Sequence, residues 1–258
     1  MRPLLTLLFV FSFFLKISAQ HTTHDIGFFA GNTTIFTDYG QSGDFESVLN
    51  GATVSFSVAH YLHFFNTSGR WNSGNETFNN LMIKSELSFY STPLEQTGKW
   101  VGRDSDASRR LSAMKGSVSV INMGVQLEYY FKDLESFISP YSNMKLNPFV
   151  TFGINYALYS NTLEYDETLG LPLKYQTPGA LNIGSGGAIN FNIGTGIRYQ
   201  LTEKLDLAAQ FQAQIFLTDE IDGLQANVIE NKSNEFVTIL QVGVIYHLNF
   251  NQPLFSFF

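Results

Sequence analysis

Eight residues of this 258-residue chain have types that invite chemistry: Lys84, Glu86, Gln126, Glu128, Arg198, Gln200, Asp206 and Gln241. Each has at least one apolar neighbour in a strand-like run, as in Ile83-Lys84-Ser85-Glu86-Leu87 and Val125-Gln126-Leu127-Glu128-Tyr129. Acids and bases gathered in a dry space can form an ion-pair network, line a charge-selective pore or perform acid–base catalysis. Catalysis has little else to work with. The chain has no cysteine and no GxSxG, and His21, His24, His60, His63 and His247 fit no HExxH spacing. Serines and acids occur on several strands, but no triad can be assembled from them.

Three other motifs have a functional and a plain reading. GSGGAINFNIGTG, 184–196, lacks the Gly-Lys-Ser/Thr ending of a phosphate loop. Gly194 and Gly196, two apart on one face, fit close packing or strand curvature. HTTH, 21–24, offers two histidines near the expected mature N-terminus, where geometry for a metal is hard to fix. TDEIDG, 218–223, places Asp219, Glu220 and Asp222 together without the distant glutamate of a calcium loop, so a solvated acidic loop is expected. No cofactor and no metal are expected.

The elements that position these residues follow from alternation. In SVSVINMGVQLEYYF, 117–131, Ile121, Met123, Val125, Leu127 and Tyr129 share one face, while Asn122, Gly124, Gln126 and Glu128 share the other. Successive strand side chains point to opposite faces. Similar runs predict strands over 25–36, 52–64, 80–91, 115–131, 147–160, 188–201, 204–218 and 235–249. Most have ten or more residues, against about five to six in soluble sheets and ~9–11 in membrane-spanning strands. The expected fold is an all-β, eight-stranded antiparallel up-and-down transmembrane barrel over 20–258.

Composition agrees. Aromatic residues make up 15%, with 25 Phe and 12 Tyr, and charged residues only 14%, below the roughly 25% of a soluble domain. The net charge of −7 argues against a nucleic-acid partner. MRPLLTLLFVFSFFLKISA, 1–19, has the positive start, short apolar core and small-residue end of a cleaved signal peptide; it is too short for a spanning helix. The protein is thus expected to be exported to a bacterial outer membrane. Polar faces rich in Gln, Asn, Ser and Gly suit the crowded inside of a narrow barrel. Aromatics near strand ends, including Phe64–Phe65, Phe89–Tyr90, Tyr129–Tyr130–Phe131, Tyr156–Tyr159 and Tyr246, suggest interfacial girdles.

Outward loops are expected over 37–51, 92–114, 161–187 and 219–234. The inner connections 65–79 and 132–146 are longer than a plain barrel needs. Lys84, Glu86 and Glu128 fall on adjacent strands and are expected to meet; Arg198 lies two strands from Glu128. A fold-supporting network is the main reading. A solute pore lined by Glu128, Arg198, Gln200 and Gln241 is the second, and a soluble lipocalin-like binder with its apolar face inside is the third. Lys99, Trp100, Arg103, Arg109, Arg110 and Lys115 make the second outer loop basic, suited to anionic lipopolysaccharide.

HDIGFFAG, GKWVG (98–102), LSAMKGSVSVINMGVQLEYYF (111–131), SPYSNMKLNPFVTFGINY (139–156) and DEIDGLQANVIENKSNEF (219–236) resemble an uncharacterised flavobacterial (Bacteroidota) family of outer-membrane β-barrels. The resemblance runs in order across nearly the whole expected mature chain. Members sometimes carry a glutamate dehydrogenase label. That label would require a dinucleotide fold with GxGxxG between strand and helix, and neither is present. More distantly the chain looks like the small barrel of the type 9 secretion and gliding apparatus, whose first strand has a HEIGxFxGG-like start; HDIGFFAG has one glycine fewer. The resemblance implies an accessory role among envelope or secretion proteins.

Overall fold

The computed structural model describes residues 21–37, 53–65, 80–96, 98, 100–138, 144–218, 220–224 and 235–248. The expected signal peptide, 1–19, and most of the connections 37–51 and 65–79 lie outside the described residues. The strands are β1 (His21–Phe36), β2 (Thr53–Phe65), β3 (Leu81–Glu95), β4 (Lys115–Tyr130), β5 (Leu146–Glu164), β6 (Ser185–Gln200), β7 (Leu205–Phe216) and β8 (Phe236–Leu248). Each pairs antiparallel with the next, and β8 pairs back onto β1, closing the barrel. Two short helices lie between strands: α1 (Asp106–Ser112) before β4 and α2 (Leu134–Ile138) before β5. Here the end where β1 begins and β8 ends is the base, and the opposite end is the crown.

Several strands run past the apolar band toward the crown. On β3 to β6, Ser91, Ser119, Ser160 and Ser185 stand in one cross-strand row, with hydroxyl contacts of 2.8 Å between Ser91 and Ser119 and 3.2 Å between Ser185 and Ser160. Above it Lys115 meets Glu95 at 2.9 Å. Below it the wall is apolar: Phe56, Leu87, Met123, Phe152, Ile193, Leu240 and Val242 are all exposed. In water such a wall would far exceed the few hundred Å² of apolar patch that soluble monomers show; against hydrocarbon it is the ordinary surface of a membrane barrel. Among the described residues no helix is long and apolar enough to cross a membrane; the exposed apolar surface belongs to the strands. The lipocalin-like alternative needs the opposite distribution and is set aside.

Alternation also corrects the expected girdles. Adjacent strand residues must face opposite ways, so in Phe89–Tyr90 and Tyr130–Phe131 one member turns inward; the side chains of Phe64–Phe65 lie outside the described residues. Tyr90 and Tyr130 are fully buried, while Phe89 and Phe131 face out. Tyr159 is 7% exposed against 50% for Tyr156.

Apolar clusters close both ends of the interior. At the crown, Val118, Val120, Phe216 and Val237 pack with loop residues Tyr175, Ala180, Ile221 and Leu224. At the base, Tyr130, Phe149 and Ile245 pack with Leu134 and Phe137 of α2. Within the connection 132–146, α2 is therefore a stopper, with Met144 packed alongside it. Gly124 is required inside: a Cβ there would strike Asn155 Oδ1 and, at 2.6 Å, Ile154 O. Gly196 is likewise held by the Phe149 ring and by Ala209 O, 2.6 Å from a Cβ, so its role is close packing.

Candidate functional site: the polar interior

Between the apolar clusters lies a layer of charged and amide side chains. All eight residues singled out in the sequence point into it, and none is more than 6% exposed. The inward faces of β3 and β4 bring Lys84 Nζ to 2.5 Å from Glu86 Oε2 and 3.6 Å from Glu128 Oε1. Lys84 also donates across the lumen to Gln210 Oε1 at 2.8 Å. Its ammonium stands 5.4 Å from the centre of the Phe29 ring, close enough for a cation–π contribution.

A second cluster is organised by Arg198. Its Nε donates to Asp206 Oδ2 at 2.5 Å and its Nη2 to Asp25 Oδ2 at 2.7 Å. His247 closes the circuit, with Nδ1 2.8 Å from Asp25 Oδ1 and Nε2 3.1 Å from Asp206 Oδ2. An imidazole facing carboxylates through both nitrogens can donate to both only as the imidazolium. The Asp25–His247 pair has the carboxylate–imidazole half of an acyl-transfer triad. Its other nitrogen faces a second carboxylate, however, not a hydroxyl nucleophile.

Tyr130 joins the two clusters. Its hydroxyl donates to Glu128 Oε2 at 2.8 Å and receives Arg198 Nη1 at 3.5 Å. So Arg198 reaches Glu128 through a phenol. Gln241 accepts from Ser57 at 3.1 Å and from Gln210 at 2.9 Å, and donates to Ser55 at 3.1 Å. Gln126 accepts from Thr151 at 3.2 Å. Gln200 leaves the network: it accepts from Lys145 of the connection before β5, at 3.2 Å. Nearer the crown, Asn155, Asn190, Asn122 and Gln214 form a chain of amide hydrogen bonds of 2.8 to 3.3 Å.

Sequence reasoning missed Asp25 and Tyr130 and did not connect His247. Alternation in β7 and β8 already turns Gln210 and His247 inward. HDIGFFAGNTTIF alternates poorly, because Phe28 and Phe29 adjoin and Ile35 faces in, so Asp25 gave no facing signal.

The acidic loop motif is also corrected. Asp219 lies outside the described residues. Ile221, Asp222 and Leu224 are buried, not solvated. Glu235 accepts the Ile221 and Asp222 N–H groups at 3.1 and 2.7 Å, and Asp222 Oδ1 accepts Leu224 N–H at 2.8 Å. These carboxylates hold backbone. Of HTTH, His24 lies against His60, with Nδ1 3.0 Å from Nε2. Among the described residues no group of three or more His, Asp or Glu is placed to hold a metal.

The sequence matches no protein-family model and no curated protein. Among solved structures, the chain is similar to a major outer membrane protein of Thermus thermophilus, at 13% identity, 88% coverage of this chain, 99% of that one and a TM-score of 0.49. It is similar to Neisserial surface protein A, at 14% identity, 86% and 96% coverage and a TM-score of 0.44. It is also similar to the outer membrane enzyme PagL, at 12% identity, 86% and 98% coverage and a TM-score of 0.34. At these identities and scores, no role carries over from them to this chain.

Proposed function

We propose that this protein is a non-conducting outer-membrane anchor with a structural or accessory role, displaying its crown loops to the cell exterior. The observation that carries this reading is the filled interior. Glu128, Arg198, Gln200 and Gln241, which a pore would need along its water path, are at most 3% exposed. Apolar clusters cover the polar layer at both ends. Eight strands leave an interior that side chains can fill, and here they do.

The crown supports a contact surface for anionic lipopolysaccharide. Arg103 stacks on exposed Trp100, 4.4 Å from the ring centre. Arg110 reaches Leu171 O at 3.4 Å, tying the α1 loop to the next one. The basic character is tempered: Arg109 faces Asp104 and Asp106 at 3.4 and 3.8 Å, and Lys115 is paired with Glu95. Lys99 lies outside the described residues. The flavobacterial resemblance directs the accessory role toward envelope complexes, including secretion or gliding components.

Planar-bilayer recording of the purified barrel tests the main reading. No stepwise conductance is expected, and stable unitary steps would overturn it. Outer-membrane recovery with heat-modifiable gel migration is expected on fractionation.

A further inference from the structure

Polar side chains interrupt the lipid-facing wall in places: Thr195, between Ile193 and Ile197, gives its hydroxyl to Phe149 O at 3.0 Å, whereas one cross-strand pair has no such outlet. His60 and Ser85 are cross-strand partners on β2 and β3, and both are exposed. Along their strands they lie between Val58 and Leu62 and between Ile83 and Leu87, inside the apolar band. The ring of His60 spends Nε2 on His24. Its Nδ1 and the Ser85 hydroxyl have no side-chain partner among the described residues. Hydrocarbon offers a polar group nothing to bond, so ionisable groups at this depth are costly and ordinarily face a partner.

The wall has relief at the same place. His60, Ser85, Val125 and Ile154 form one cross-strand row, and Val58, Leu87, Met123, Tyr156 and Ile189 form the next. Between them runs a furrow of about 670 Å³, floored by Glu86, Gly124 and Asn155. The first row drops in height at Ser85. Leu87 and Met123, 51% and 58% exposed, line the furrow.

We propose that the β2–β5 wall is a two-fold interface between copies of this chain, with His60 and Ser85 of each copy meeting those of the other. Lipid tails cannot satisfy the pair. A partner of different sequence would need its own polar groups at matching depth. A two-fold axis supplies them automatically, because residue i then meets j and j meets i. A hydroxyl both donates and accepts and the imidazole keeps one nitrogen to offer, so the pair is self-complementary. Polar side chains act as glue between membrane segments in this way. The inference rests on the wall facing lipid, as the proposed anchor requires.

The chain has no cysteine, so single cysteines report cleanly. Ser85→Cys and Val125→Cys test the interface; Leu207→Cys and Val242→Cys, on the β7–β8 wall, serve as controls. Each full-length variant is oxidised in native outer membranes and run with and without heating. The expected result is a disulfide product of twice the chain mass at 85 and 125 and none at 207 and 242. Adding His60→Leu to the Val125→Cys chain is expected to lower that product severalfold while heat-modifiable migration persists. A heat-modifiable barrel without product at both 85 and 125 overturns the proposal. Equal product at all four sites means random collision and overturns it too, as does a product of any other mass. Failure of the lipid-embedded reading looks different: the chain would leave the membrane on carbonate extraction.

Discussion

The two charged clusters inside the barrel use similar residues but close differently. Around Arg198 the contacts form a ring: Arg198 to Asp25, Asp25 to His247, His247 to Asp206 and Asp206 back to Arg198. With His247 as the imidazolium, cations and anions alternate and the formal charges cancel. Around Lys84 there is an open chain, with Glu86 and Glu128 on one ammonium. Each of these carboxylates also has a neutral donor: Tyr130 donates to Glu128 at 2.8 Å and Gln212 to Glu86 at 3.4 Å. A buried ring depends on every member, whereas a chain with auxiliary donors retains part of its solvation when one member is lost.

Breaking the ring should therefore have the largest effect. Arg198→Met leaves two buried carboxylates on one imidazole and is expected to lower stability by about 3–5 kcal/mol, read as the urea midpoint of barrel circular dichroism in detergent. Arg198→Lys is expected to rescue only part of this, since one ammonium replaces a fork that spans two carboxylates. Lys84→Met should cost less, about 3 kcal/mol at the low end of the same range, because Tyr130 and Gln212 remain. Replacing Lys84, Glu86 and Glu128 together by apolar residues of similar size should recover much of that loss, as exchange of a buried ionic group for packed side chains is often neutral. Tyr130→Phe sharpens the comparison by cutting the bond between clusters. About 1.5 kcal/mol is expected for a hydrogen bond to a charged group, with less coupling between Arg198→Met and Lys84→Met in a double-mutant cycle. Ser57→Ala, which touches neither cluster directly but removes a donor to Gln241, should cost about 1 kcal/mol. Equal losses for Arg198→Met and Lys84→Met would erase the distinction between ring and chain.

The faces of β2, β3, β4, β6, β7 and β8 were legible because period-two alternation is a local property of the chain. Lys84, Glu86 and Glu128 were legible as a group because β3 and β4 are sequential neighbours. The partners of Arg198 were not. Asp25 lies 173 positions away, and its facing depends on closure of β1 against β8. The stopper at the base was also hidden: LESFI is too short to show a helical period, and burial of Leu134 and Phe137 is decided by the space above them. The acidic loop misled because Asp and Glu read as solvent-loving, while Glu235 in fact caps the backbone N–H groups of Ile221 and Asp222.

The Arg198 ring also bears on the order of assembly. Its members come from β6, β7, β8 and β1, so it straddles the seam where the last strand meets the first across thirteen paired positions from His24↔Leu248 to Phe36↔Phe236. A sheet with seven neighbouring pairs formed and the seam open has Asp25 and His247 on opposite edges, and the ring cannot exist. Closing the seam brings all four groups together in one event and removes them from water. The ring therefore works as a latch, distinguishing a finished barrel from an unfinished one.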